Sequence, residues 1–432
     1  MKFLLTIVLA CWLAFAPGSQ TQFVLDDYYT VVHNPLIKHP VFYPKIFRSH
    51  LFDAYPSSGY IQFPYYRPVL ESSYILDYHL FKLKPTGYQW VNWLIHLING
   101  WLVFILISWL FENSWLAFLT ALLFVVLPSH EWVVRYITGR GDSLQTFFGL
   151  LFLIALVWSL KTKKVWGYFG ALLALILSLL TREFGYLLPF YGILVGYTYA
   201  QGRHVLRFSF WWMAIGFLSL FVTYHLLAKL GPILSLHLWY FTSIGLCLSV
   251  GFLLLRLPSG RGIGVLLALT LALISLSQRP YWIKEEVLLR RTHALEQTSY
   301  TVCHQQLLMK YDSDSAAVGE LIKLEHHPVV KSLWFWRLGQ IAFDHQQLGP
   351  ALAYFERSLK YNPSNVDALN ARAVVLLESG KPQEGLALLY EALKRDSSYS
   401  PTLRNLGVYY QFHNDLLRAQ TFFAGARYYE GY

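Results

Sequence analysis

The sequence predicts an all-α protein: a polytopic transmembrane helix bundle of about nine spans, followed by a C-terminal α-solenoid. Three observations predict it. Of 432 residues, 55% are hydrophobic and only 14% are charged, the balance of a multi-span membrane protein. Apolar runs near the ~20 residues of a crossing helix recur over the first two thirds of the chain. Beyond them the composition turns polar, and small residues recur at a spacing of ~34.

The first apolar segment, Phe3 to Pro17, follows Lys2. Ala14-Phe15-Ala16 could be a signal-peptidase site, and Leu9-Ala10-Cys11 is a poor lipoprotein-like match. A cleaved signal and a retained anchor are equally consistent. Either puts Asp26 and Asp27 on the far side of the membrane. Residues 18–88 are rich in Pro and Tyr and hold no long apolar run; they read as a large first extracytoplasmic loop. Apolar segments then follow at 90–111, 114–128, 144–160, 165–180, 184–200, 208–228, 236–255 and 262–278.

With the N-terminus inside, the cytoplasmic connections carry Lys161, Lys163, Lys164, Arg203, His204, Arg207, Arg256 and Arg261. This is the positive-inside pattern. The net charge of +10 therefore reads as a topology signal, and no nucleic-acid partner is expected. The same count puts His130, Glu131, Arg135, Arg140, Asp142, Arg182 and Glu183 outside with the Asp pair, along with everything after residue 278. The expected localisation is a multi-pass protein of a bacterial inner membrane or ER-type membrane, with active site and repeats extracytoplasmic.

Residues 1–280 thus form a membrane domain. A helical connector, 281–332, follows, with a charged helix over 281–312 and another over 316–330. Residues 333–432 carry tetratricopeptide (TPR) repeats. Gly339, Ala373 and Gly407 are in register, as are Ala351, Gly385 and Ala419; Phe355, Leu389 and Phe423; and Ser358, Ala392 and Ala426. Each repeat is a helix pair whose small residues permit close crossing, and a stack of them presents a concave surface suited to extended peptides. The chain stops at the end of the third repeat, which a bare face, a partner or a homo-oligomer would each accommodate.

Asp26-Asp27 is the acid pair nearest the first span. A surface turn or a helix cap is the ordinary reading of two such residues. Their apolar and aromatic frame favours a carboxylate with a tuned pKa that acts as a base. Asn92 and His96 share one helix face, as an interhelical hydrogen bond or as a functional pair. Glu131 and Arg135, four apart, can pair. Arg135 and Arg140 would face the lipid headgroup level, where an anionic phosphate lies. Arg182-Glu183 fits a boundary ion pair and a phosphate-binding Arg held by its Glu equally well. Arg140-Gly141-Asp142 is read as a chance match to an adhesion tripeptide. Cys11 and Cys247 lie in apolar segments and Cys303 beyond them, so neither a disulfide framework nor a zinc site is indicated. No metal ligands are assigned, and a divalent-metal requirement stays open.

Taken in order, these residues resemble one family. Leu25-Asp26-Asp27 with Asn34-Pro35, Tyr66-Arg67-Pro68, Asn92-x-x-x-His96, Leu127-Pro128-Ser129-His130-Glu131-x-Val133, Gly139-Arg140-x-Asp142 and Arg182-Glu183 follow the order of the TMTC-type (transmembrane and TPR repeat-containing) O-mannosyltransferases of the GT-C superfamily. The likeness covers roughly the first 190 residues, and the repeats fit the same architecture. Members usually show Ser-Lys-Glu where this chain has Thr181-Arg182-Glu183. The chain is also shorter, as in a bacterial or minimal relative. The resemblance implies a GT-C-like bundle and inverting transfer of a sugar, mannose first, from a polyprenyl-phosphate donor to Ser/Thr hydroxyls. It implies Asp26 as the better match to the general base and Asp27 as the second. Arg67, Arg140 and Arg182 would meet the donor phosphate. His96, His130, Glu131, Arg135, Asp142 and Glu183 would support them, and the repeats would hold the acceptor polypeptide. A lipid-linked donor, an acceptor protein and membrane lipids are the expected partners, with no cofactor assigned. Two other readings compete: a non-enzymatic membrane-anchored scaffold for envelope assembly, and a GT-C enzyme with a lipid or glycan acceptor.

Overall fold

The computed structural model describes residues 2–18, 22–24, 27–32, 34–38, 40, 43–48, 66–202, 204–227, 239–282, 318–319, 322, 328–397 and 399–430. The chain divides into two compact units, residues 1–32 with 66–304, and 33–65 with 305–432.

In the first unit the helices are α1 (Lys2–Phe15), α2 (Pro68–Phe81), α3 (Pro85–Phe111), α4 (Ser114–Val126), α5 (Arg140–Thr162), α6 (Trp166–Thr181), α7 (Leu188–Gln201), α8 (Val205–Leu227), α9 (Trp239–Leu254) and α10 (Gly260–Ser277). Every apolar segment of the sequence becomes a helix. Pro85–Phe111, Arg140–Thr162 and Gly260–Trp282 are each long and apolar enough to cross a membrane. Ser114–Val126 and Pro128–Val134 meet the same test as a pair bent by 53°. The shorter apolar helices, such as Trp166–Thr181 and Trp239–Leu254, pack beside them.

Burial runs as a bilayer requires. In α4 every residue from Leu116 to Val126 is buried. A helix apolar all round belongs at the centre of its bundle, and α1, α3, α9 and α10 surround it. Its one polar side chain in that run, Thr120, donates to the Leu116 carbonyl at 2.8 Å. Trp166, Phe169, Leu172, Leu173 and Ile176 of α6 point outward, exposed. Such a face suits hydrocarbon rather than water. The chain is a membrane protein.

The two ends of the bundle differ in chemistry. At one end Lys161 lies over the Trp109 ring at 5.9 Å and Arg261 over Trp115 at 4.7 Å. The α5–α6 and α7–α8 connections bring Lys163, Lys164, His204 and Arg207 to this end too. The opposite end carries the paired acids and arginines.

Residues 18–88, read from sequence as one loop, are not all loop. Pro68 opens α2, with Pro at its favoured first helical position. The polar Ser73, Tyr74 and Asp77 share one face of it. The charged helices expected over 281–312 and 316–330 lie almost entirely outside the described residues.

In the second unit three helix pairs follow one another: α11 (Pro328–Asp344) with α12 (Leu348–Tyr361), α13 (Val366–Glu378) with α14 (Pro382–Arg395), and α15 (Ser400–Phe412) with α16 (Leu416–Glu430). The repeat registers meet as their sizes require. A Cβ on Gly339 would stand 2.5 Å from the Phe355 ring, and one on Gly407 2.7 Å from Phe423. Ala373 and Leu389 fill the same roles in the middle repeat. A cavity of about 340 Å³ opens between α13 and α15, lined by Val374, Leu377, Asn405, Val408, Tyr409 and Phe412.

Candidate active site

The polar end of the bundle is built around a break in the chain. Leu127 precedes a proline and takes an extended conformation, φ −64° and ψ 121°, as that position demands. Helix α4 stops there, and a short helical stretch leads to the turn 135–139. Gly139 closes the turn. A Cβ there would lie 2.1 Å from the Trp132 carbonyl oxygen, so no side chain fits.

Neighbouring helices add hydrogen bonds to the turn's carbonyls. Gln89 donates to the Arg135 carbonyl at 2.9 Å. Asn92 donates to the Tyr136 carbonyl at 3.0 Å, and the Tyr74 hydroxyl to that of Ile137 at 3.2 Å. From the first loop, Asp27 Oδ1 accepts the Thr138 N–H at 2.9 Å and the Thr138 hydroxyl at 2.8 Å. Its Oδ2 accepts the Val24 N–H at 3.1 Å. Asp27 is 1% exposed. As a second candidate base it is poorly placed, because its oxygens already take three donors inside the protein. It is a staple between the first loop and the turn. Asp26, the first candidate, lies outside the described residues.

Arg140 departs from the expectation that it meets a phosphate. It is fully buried. Its Nε donates to Asn92 Oδ1 at 2.7 Å. Nη1 donates to the Ser73 hydroxyl at 3.2 Å, and Nη2 to the Tyr88 carbonyl at 3.1 Å. Asp77 pairs with it, and the Tyr74 ring lies 4.9 Å below. With a longer contact from Nη1 to the Ser73 carbonyl at 3.5 Å, the five N–H groups of an arginine are used within the fold, so Arg140 braces the site. Burial pushes the Asp77 carboxyl above the usual range, against the opposing charge and hydrogen bond of Arg140.

The remaining arginines pair differently from the sequence reading. Arg182 is held by Asp142, Nη1 to Oδ2 at 2.6 Å, and not by the adjacent Glu183. Glu183 takes a two-point hydrogen bond from Arg67, at 3.0 Å from Nε and 2.7 Å from Nη2. Burial raises the Glu183 carboxyl. The charge and hydrogen bond of Arg67, with Arg182 beside it, outweigh that and hold it below its ordinary value. Gly141 lets Arg182 lie close to the start of α5, its missing Cβ falling 3.4 Å from Nη1. Among the described residues, the buried Nε of Arg182 has no partner. Of the three candidate phosphate cations, Arg182 is the one with an inward-facing donor left over.

Arg135 also turns away from a headgroup phosphate. Its Nη2 donates to the Ala14 carbonyl at 2.9 Å and the Ser275 carbonyl at 3.3 Å. These are the C-terminal ends of α1 and α10, where a cation is favoured. Glu131 accepts the Trp282 indole at 3.2 Å. His96 and His130 stand deeper, both fully buried. The Val125 carbonyl can only accept, so His96 Nε2 carries the proton, at 3.2 Å, and Nδ1 accepts from the Tyr240 hydroxyl at 2.6 Å. His130 Nε2 donates to the Ser243 hydroxyl at 3.0 Å. Both histidines therefore knit the break to α9.

Sequence reasoning missed Tyr74, Asp77, Thr138 and Tyr240. Arg140, Asp27, Asp77 and Arg67 all act on the Tyr74 phenol, which burial keeps protonated; that residue marks where the charges converge. The spacing of Ser73, Tyr74 and Asp77 behind Pro68 was the available signal. Among the described residues, no three His, Cys, Asp or Glu side chains gather as metal ligands would.

Comparison with known proteins fits this geometry. A tetratricopeptide repeat family profile matches residues 337–401. The chain is 32% identical over 169 residues to "Protein O-mannosyl-transferase F38B6.6" of Caenorhabditis elegans, covering 38% of this chain and 23% of that protein. It is 31% identical over 153 residues to "Protein O-mannosyl-transferase TMTC1" of Mus musculus, 34% of this chain and 15% of that protein. With "Protein O-mannosyl-transferase TMTC3" of Mus musculus the figures are 30% over 148 residues, 34% and 15%. Over the matched part the chain is similar to TMTC-type proteins. The matches span 15% to 23% of the length of these three relatives. In this chain the membrane helices, the charged end and the repeats all occur within 432 residues.

Proposed function

We propose that the chain is a membrane glycosyltransferase that moves a mannosyl group from a polyprenyl-phosphate donor to Ser or Thr hydroxyls of an extracytoplasmic protein. The observation that carries this reading is Arg182. It is anchored by Asp142 on one nitrogen and keeps a buried, unpartnered N–H on another. It stands at the bundle end where Asp27 pins the first loop. The names of the relatives support the sugar and the acceptor class.

The chemistry follows from the groups. A Ser or Thr hydroxyl is a weak nucleophile and needs a base as it attacks. Asp26 takes its proton. The hydroxyl oxygen bonds to the anomeric carbon from the face opposite the phosphate, and the anomeric carbon–oxygen bond to phosphate breaks with inversion. The leaving polyprenyl phosphate gains negative charge. It needs a fixed cation rather than a proton, and Arg182 supplies it, with Arg67 behind Glu183. Asp27 holds the loop that bears the base. The basic end of the bundle faces the cytoplasm, so this end and the repeats face outside. The cavity between α13 and α15 takes an apolar stretch of the acceptor.

The test replaces Asp26 with Asn in the full chain and reads acceptor mannosylation by glycoprotein mass spectrometry. Loss of the modification with unchanged thermal unfolding is expected. Unchanged modification sinks the catalytic reading and leaves a scaffold.

A further inference from the structure

At the end of the bundle away from Arg182, a polar cavity opens between α7 and α8. It holds about 160 Å³ and is lined by Thr198 and Gln201 of α7, by His204 of the connecting turn, and by Arg207 of α8, with Tyr197 and Trp211 as walls. We propose that this cavity is a binding site for the phosphate headgroup of an anionic phospholipid of the membrane in which the chain sits.

Four observations carry it. Thr198 lines the cavity and is 4% exposed. Its hydroxyl adds a polar group to the cavity wall. Arg207 lies over the Tyr197 ring at 5.3 Å and has no carboxylate partner among the described residues, so its charge remains for an anion. Gly202, at φ +115°, reverses the chain directly before α8. The first helical hydrogen bond there runs from Phe208 N to the His204 carbonyl at 3.0 Å. The preceding N–H groups of α8 are therefore spare, at the positive end of its dipole. Lastly, Tyr197 and Trp211 are 46% and 49% exposed on a helix pair whose outer face is apolar. Aromatic residues of this kind mark the headgroup level of a bilayer.

The occupant is a lipid rather than free phosphate because the cavity's walls are continuous with the lipid-facing surface. Phe210, 60% exposed, stands beside Trp211 with ring centroids 5.4 Å apart, where an acyl chain would run. Basic pockets between helices at this level attract anionic headgroups. The site is independent of the transferase reading; it rests only on the chain's place in a membrane and lies at the other end of the bundle from Arg182.

The full chain, purified in mild detergent, would be titrated with phosphatidylglycerol, with phosphatidylcholine and with inorganic phosphate, and read by native mass spectrometry. Phosphatidylglycerol should be retained about fivefold over phosphatidylcholine. Arg207→Ala and Thr198→Val should each lower that preference, with Arg207→Lys keeping part of it. A photoreactive phosphatidylglycerol headgroup should cross-link within 194–211 of the unsubstituted protein, a measurement that needs no variant to fold. Equal retention of the two lipids, cross-links confined elsewhere, or displacement of the lipid by inorganic phosphate would overturn the proposal.

Discussion

Asp27 accepts two hydrogen bonds from Thr138, at 2.9 Å from its N–H and 2.8 Å from its hydroxyl, across more than a hundred residues of chain. One side chain thus sets where the first loop meets the broken helix. Adjacent carboxylates that look equivalent in the sequence acquire different work through this contact.

Their substitution should separate that work. Asp27→Asn places an amide where Oδ2 accepts from Val24 N or where Oδ1 accepts from Thr138, and one donor loses its partner. A loss of about 1–3 kcal/mol is expected, seen as a lower melting temperature in detergent, with residual transfer. Asp26→Asn should leave melting alone and remove transfer. The reverse pattern would make Asp27 the base.

Arg140 and Asp77 should behave as a buried pair. Arg140→Gln leaves Asp77 uncompensated and should cost about 3–5 kcal/mol. The double variant Arg140→Leu with Asp77→Leu should recover part of it. Thermal unfolding of the three proteins checks this, and equal melting for Arg140→Gln and the parent would remove the bracing role.

Arg182 should matter for the donor and, because its Asp142 partner is buried, its removal should also lower the melting temperature. Arg182→Gln should lower transfer by about 10²–10³-fold, and Arg182→Lys should restore only part, since a point charge replaces a fork. Activity with a synthetic polyprenyl-phosphate sugar, alongside melting, is the readout. Equal activity in all three would move phosphate recognition elsewhere.

The Arg67–Glu183 pair predicts a pH dependence. The folded-state value of Glu183 lies below its ordinary 4.5. Its contribution is therefore present above that ordinary value and is lost as pH falls through the depressed one. Glu183→Gln should melt below the parent near neutral pH, and the gap should close in acid. Because the Glu183 side chain is 42% exposed, the gap should be small and shrink with salt. A gap that widens in acid would contradict the assignment.

In the repeats, Gly407→Val should fail for steric reasons. Its Cβ would sit 2.7 Å from Phe423, so α15 and α16 must part, at about 1–3 kcal/mol. Limited proteolysis of the full chain should show earlier cleavage within 400–430, with the membrane helices unaffected.

Much of the fold was legible in the chain. Apolar runs located the membrane helices because lipid imposes the same requirement on every crossing segment. The ~34-residue spacing located the repeats because each must present the same small and large residues to its neighbour. The apolar run ending at 128 also marked the break at Pro128, but the helix that Pro68 opens was not read from the sequence. The choice of ion-pair partner was not legible. Arg182 directly precedes Glu183 in sequence yet takes Asp142, and Glu183 takes Arg67, 116 residues away. Arg140 looked like a surface cation and is enclosed. Charge and spacing restrict what a side chain can do within one or two turns of its own helix. Which of several opposite charges it meets, and whether water or protein fills its remaining donors, depends on how the helices pack. The sequence alone determined the membrane bundle, the repeats and the charged residues available; only the tertiary structure decided which of those charges pair with which, because partner choice depends on how the helices pack.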